Sequence, residues 1–163
     1  MNARDLPRAS LEGAIEELAA MPAFVAAALE ECGEALAIRP REGEFSLIEH
    51  ACHLRDLERE GYLVRVRRML AEDGPELSPF DGAAVAASRD YLSEDAHAAA
   101  RAFAFARREL LGLVAPLGEA ELAREGFFEG KRICVLDLLA MMVGHDQGHR
   151  EEIERLVDDL EAP

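Results

Sequence analysis

The residues best suited to chemistry lie near the C-terminus, in the stretch GHDQGH (144–149), which carries two of the five histidines in the chain. At about 100° per residue, an α-helix sets His149 only about 40° from His145. On the same projection Leu138, Met142, Ile153 and Leu156 fall within about 80° of His145, so both imidazoles sit in the apolar stripe. Polar groups facing a core need partners. Two imidazoles at i and i+4 can chelate one metal ion, or they can be hydrogen-bonded core residues. The adjacent Glu of an HExxH zinc-protease helix is missing.

A metal ion needs a further ligand, and EHACH (49–53) offers His50 and His53. On a wheel with Leu47 at zero, the apolar face of that segment centres near about 320°, with His50 at about 300° and His53 at about 240°. Periodicity leans toward His50 and leaves both in play. The fifth histidine, His97, reads as a surface residue. Among the acids, Glu58 falls inside the same apolar face and requires a partner there, Arg150 or a histidine. Asp146 points away from His145 toward a neighbouring helix or loop. Glu49 reads as solvated and Cys52 as a small core residue.

Four long helices are expected to hold these residues. The first spans about 10–37, with a kink or break at Pro22. IRPREGE (38–44) reads as a turn. The second helix opens on a capping box, Ser46 with Glu49, with Phe45 in the staple position before it, and it continues to Leu70. AEDGPELSP (71–79) reads as a loop, and 79–91 as a long connection with room for a helical turn and a crossover. The third helix runs from about Ser93 to Leu117, with Glu94 and Asp95 suiting its dipole. GEAELARE then gives a short helical piece, and GFFEGKR a Gly-rich loop. The fourth helix runs from about Val135 to Leu160, capped by Cys134 with Asp137. The fold class is therefore all-α: one up-down four-helix-bundle domain over residues 1–163, with a long connection between helices 2 and 3.

The bulk composition narrows the partners. With 33 acids against 18 bases the formal charge is −15, the wrong sign for neutralising phosphates. RVRRM (65–69) reads as a solvated face balancing nearby acids. Neither nucleic acid nor an anionic membrane is expected as a partner. No apolar run is long enough to cross a bilayer, and the N-terminus is too charged for a signal peptide. The three cysteines form no CxxC pair, which fits a reducing cytoplasm.

FSLIEHACHLRDLE (45–58) resembles the stretch W-S-x-x-E-x-x-x-H-L-x-D-x-E that opens the second helix of the DinB-like family. FEGKRICVLDLLAMMVGHDQGH (128–149) is similar to that family's segment ending H-D-x-x-H, and LAAMPAFVAAALEE (18–31) to its first helix. Phe45 stands where Trp is usual and Cys134 where Thr often caps the last helix. The resemblance implies a metal triad of His53, His145 and His149, which settles on His53 where periodicity leaned to His50. His50, Glu58 and Asp146 are left as supporting or pocket residues. It implies a divalent ion, zinc or nickel. It also implies an enzyme that transfers a low-molecular-weight thiol or performs hydrolysis on a small-molecule substrate. Three imidazoles leave an ion with open positions, as a catalytic site requires. The rival expectation is a non-catalytic metal- or ligand-binding bundle with a regulatory or stress role. A homodimer is expected in either case.

Overall fold

In the computed structural model, which describes residues 6–163, four helical rods are arranged around two adjoining cores. The first rod is α1 (Leu6–Cys32). It passes through Pro22 without a break and stops short of the expected end; Ala35–Ala37 form a separate 3-10 turn. Gly33, with φ +53°, ends α1 in the left-handed conformation that glycine adopts without strain.

The second rod is built from three consecutive pieces: α2 (Leu47–Asp56), a π-helical turn (Leu57–Tyr62) and α3 (Leu63–Ala71). Its start is as the capping box dictates. The Glu49 N–H donates to Ser46 Oγ (3.3 Å) and the Ser46 N–H donates to Glu49 Oε1 (2.9 Å). The π turn interrupts the single regular helix expected over this span; such insertions change which residues face inward and recur at functional sites.

The connection between the second and third rods is not featureless. It contains β1 (Glu76–Leu77) and a short helix, α4 (Gly82–Ser88), whose N-terminal cap is Asp81, accepting from the Ala84 N–H. The third rod is α5 (Ala96–Val114), capped by Asp95. Glu94 lies before that helix, not in its first turn, and pairs with Arg55 at 2.5 Å. The short α6 (Glu119–Leu122) follows as expected.

GFFEGKR is not a loop. It forms a hairpin of β2 (Glu125–Phe128) and β3 (Lys131–Cys134), joined through Glu129 at φ 50° and Gly130 at φ 78°. Two successive positive φ values are what a tight hairpin turn needs. β1 adds in parallel to β2, so a small sheet closes one end of an otherwise helical fold. The fourth rod, α7 (Val135–Glu161), leaves the hairpin directly, and Asp137 accepts from the Cys134 N–H at its start (2.9 Å).

α1 packs mainly along α5 and α7, while α2 packs along α5 and also touches α7. The chain therefore crosses the bundle from the first rod to the second and from the third to the fourth, whereas the longest connection, between α3 and α5, joins two neighbouring rods. One core cluster gathers Leu11, Leu18, Val66, Leu110 and Leu138. The other gathers Met21, Leu29, Leu54, Phe103 and Ile153. Each such side chain contributes on the order of 1.5–3 kcal/mol by leaving water. The Arg run of α3 divides: Arg67 pairs with Glu109 and Arg68 with Glu72, as a solvated face would. Arg65 instead turns inward, its Nε donating to the Ser78 carbonyl (3.2 Å). No described helix is long and apolar enough to cross a membrane.

Candidate metal centre

α2 and α7 bring four histidines together. His53, His145 and His149 each present a ring nitrogen within 4.8 Å of the other two, close enough to share one ion. His149 Nε2 lies 3.1 Å from His145 Nε2, and the His53 and His149 rings are 4.9 Å apart between centroids. His50 joins from the other side, its Nδ1 3.2 Å from His149 Nδ1. Periodicity and family resemblance point to different histidines on α2, and the fold gathers both. His50 (2 % exposed) and His53 (7 % exposed) are each buried. His97 takes no part and is half-buried on α5, not fully at the surface.

Each ring is held by its local sequence. Phe45, one residue before the Ser46 cap, packs edge-on to His50 and tilted against His53. The staple position thus braces the site. Tyr62, at the end of the π turn, meets His145 edge to face with centroids 6.0 Å apart. Gly82, the first residue of α4, passes so close to His53 that a Cβ there would lie 2.6 Å from its Cε1. Only glycine allows the backbone that approach.

The environment favours neutral imidazole. Burial, with the neighbouring histidines adding to it, pushes His145 and His50 down to about 3. Burial and His149 push His53 down to about 4, and burial lowers His149 as well. Neutral imidazole is the form that ligates metal. The Nδ1 atoms of His53 and His145 are buried without any hydrogen-bond partner. A set of side chains meant to satisfy itself would not leave such atoms. Nitrogen donors, neutral charge state and incomplete internal bonding all fit a divalent ion held by His53, His145 and His149.

A cavity of about 580 Å³ opens beside the cluster and is walled in part by His53 and His149. Phe45, Gly82, Ala83, Ala86 and Ala87 give it an apolar side, and Arg39, Glu44, Glu49, Glu152 and Arg155 a charged one. Two of those acids are engaged. Glu49, expected in solvent, is 5 % exposed and takes a bidentate contact from Arg39 at 2.6 and 2.5 Å. Glu44 accepts from Arg155 (2.9 Å). Glu152 instead faces the histidines, 3.7 Å from His149 Nδ1 and 3.9 Å from His50 Nε2.

One turn away lies a second polar cluster, and its centre is a residue that the sequence reading does not single out. Arg107 of α5, 1 % exposed, grips Glu58 through Nε–H···Oε1 (2.8 Å) and Nη2–H···Oε2 (3.0 Å). It grips Asp146 at 2.6 and 3.1 Å and donates to the Leu18 carbonyl at 2.9 Å. Glu58 is buried as expected, but its partner is neither Arg150 nor a histidine; Arg150 lies over the Phe24 ring. Asp146 meets a neighbouring helix, as its angle on α7 requires. Burial raises the Glu58 carboxyl against the pull of Arg107. A signal for Arg107 is present in the sequence: Phe103, Leu110 and Val114 mark the buried stripe of α5, and Arg107 sits on it.

Comparison with known proteins agrees with this picture. Residues 8–153 match the DinB superfamily. A solved structure of YfiT from Bacillus subtilis is similar, with a TM-score of 0.82 at 21 % identity, covering 90 % of this chain and 85 % of that one. That protein is described as a probable metal-dependent hydrolase with an unusual four-helix bundle topology. No curated protein matches. With the match spanning nearly the whole chain, and the bundle and gathered histidines as its motifs require, the chain belongs to the DinB superfamily.

Proposed function

We propose that this chain is a divalent-metal-dependent enzyme of the DinB-like class, holding the ion with His53, His145 and His149. Zinc or nickel suits three neutral nitrogens best. The observation that carries the reading is the convergence of three largely buried imidazoles, two of which, His53 and His149, stand on the wall of a cavity of about 580 Å³. An ion bound there would supply Lewis acidity and lower the pKa of a water or thiol at its open position.

The chain's own residues do the rest. Phe45, Tyr62 and Gly82 hold the rings. The alanine wall of α4 excludes water from one side of the cavity, and Arg39 and Arg155 offer positive charge on the other. Glu152 stands nearest to the ligand set of the acids on the wall and can accept a proton from a substrate group. The substrate is a small molecule. Hydrolysis of a small ester or amide, or transfer of a low-molecular-weight thiol to an electrophile, both fit; the YfiT likeness supports the first.

A non-catalytic binding role is the second reading. It is favoured by the commitment of Glu58 and Asp146 to Arg107, which removes two acids from any catalytic use. A homodimer is a further proposal, and the cytoplasm is the proposed compartment.

The test is metal analysis of protein purified without a histidine tag. It is followed by a panel of activated esters, amides and thiol–electrophile pairs, each with and without chelator. The proposal expects about one ion per chain and a turnover that chelator abolishes and zinc or nickel restores. Stoichiometric metal without turnover on any pair favours the binding role. Absence of bound metal contradicts the enzyme reading and a metal-binding role, leaving only the binding of a metal-free ligand.

A further inference from the structure

Of the three proposed ligands, His149 alone has both ring nitrogens within hydrogen-bond distance of a partner among the described residues. Its Nε2 faces His145, and its Nδ1 faces His50 Nδ1 at 3.2 Å. His53 and His145 each leave Nδ1 unpartnered. His50 is itself buried and is not in the ligand triad; Glu152 Oε2 lies 3.7 Å from His149 Nδ1 and 3.9 Å from His50 Nε2, beyond hydrogen-bond distance of both. Two N–H groups cannot face one another at 3.2 Å, so one of the paired Nδ1 atoms carries a lone pair.

We infer that His50 is a positioning residue that fixes the tautomer of His149. The inference rests on the metal reading above. If His149 ligates through Nε2, its Nδ1 must carry the hydrogen. That N–H donates to His50 Nδ1, which then has its own hydrogen on Nε2, on the side of Glu152. A ligating imidazole whose other nitrogen donates to a carboxylate is a familiar arrangement; here an imidazole takes the place of the carboxylate.

The experiment uses the full chain loaded with zinc. Two-bond ¹H–¹⁵N correlation spectra read the tautomers: His149 is expected as Nδ1–H and His50 as Nε2–H. Zinc affinity is measured in parallel by competition with a chromophoric chelator. His50→Ala is expected to weaken binding roughly 10–100-fold. His50→Asn, which keeps an acceptor near the Nδ1 position, is expected to recover most of that loss, a rescue that packing alone does not provide. Equal affinities for the Ala and Asn variants, or His50 observed as Nδ1–H, overturn the inference while leaving the metal reading intact. Two zinc ions per wild-type chain falling to one in His50→Ala also overturn it, by making His50 a ligand. A wild-type chain that takes up no zinc overturns the metal reading and this inference together.

Discussion

Two polar clusters lie side by side on the same helices, and they are built on opposite principles. Glu58 follows His53 by little more than a turn, and Asp146 is the next residue after His145. Yet the Arg107 cluster is closed, with both carboxylates gripped bidentately by the guanidinium. The histidine cluster is open. Its rings crowd to within 3.1 and 3.2 Å of one another while two nitrogens find no partner. A closed buried cluster specifies how helices meet; an open one is shaped for something the chain does not itself supply. Position on the helix decides which is which. His145 faces His53 of α2, and Asp146, about 100° further round, faces Arg107 of α5.

The comparison breaks most visibly at Arg107. Replacing it with Met leaves two buried acids without a counter-charge, a loss of about 3–5 kcal/mol. That is a large fraction of the ~5–15 kcal/mol that holds a domain together. Urea denaturation of the metal-free protein is expected to show a greatly reduced midpoint. A stability close to wild type contradicts the assignment of the closed cluster as structural.

His149→Ala is expected to do the reverse. Zinc affinity falls by more than the roughly 10–100-fold typical of losing an outer partner. Stability of the metal-free chain falls by about 1–3 kcal/mol, less than at Arg107, because the two hydrogen bonds lost join neutral rings and each contributes about 0.5–1.5 kcal/mol. Isothermal titration paired with urea melts separates the two effects.

Acid sharpens the contrast further. The folded-state values of His50, His53 and His145 lie at about 3 to 4, below the ordinary imidazole value of 6.5. The unfolded chain therefore binds more protons between these limits, and stability present above pH 6.5 is lost as pH falls toward 3–4. A loss on the order of a few kcal/mol is expected for the metal-free wild type. His149→Ala, with less crowding, loses less. Melts at about pH 7.5, 6 and 5 measure both.

The smallest effect is expected at Gly82→Ala. The new Cβ meets His53 Cε1 at 2.6 Å and Nδ1 at 3.0 Å. The ring or α4 must shift, weakening zinc binding by roughly tenfold while stability moves by less than about 1 kcal/mol. Unchanged affinity places His53 outside the ligand set.

Much of this is legible before the fold. The spacing of His145 and His149 and the Ser46–Glu49 cap come from local helical pattern, which holds wherever a helix stays regular; Glu58 still faces inward because it lies at the very start of the π turn. Periodicity fails where the helix does not. The π turn at 57–62 rotates the residues beyond it, while His50 and His53 precede it on regular α2 and are both buried, so a wheel that seeks one inward histidine meets two. Arg107 is easily passed over because the run RAFAFARRE holds several arginines, and an arginine is usually a surface residue. Its place between Phe103 and Leu110 on the buried stripe is the stronger signal. The hairpin escapes because strands of four residues show too little alternation to stand out, and their parallel partner β1 lies far away in sequence.

The central claim, one divalent ion held by His53, His145 and His149, is tested most directly by crystals of untagged, zinc-loaded protein measured on either side of the zinc absorption edge. The account predicts one strong anomalous peak per chain, bonded at about 2.0–2.1 Å to a nitrogen of each of the three imidazoles, with His50 near His149 but not bonded to the ion. No peak among the histidines, or a peak bound through His50 in place of His53, contradicts it.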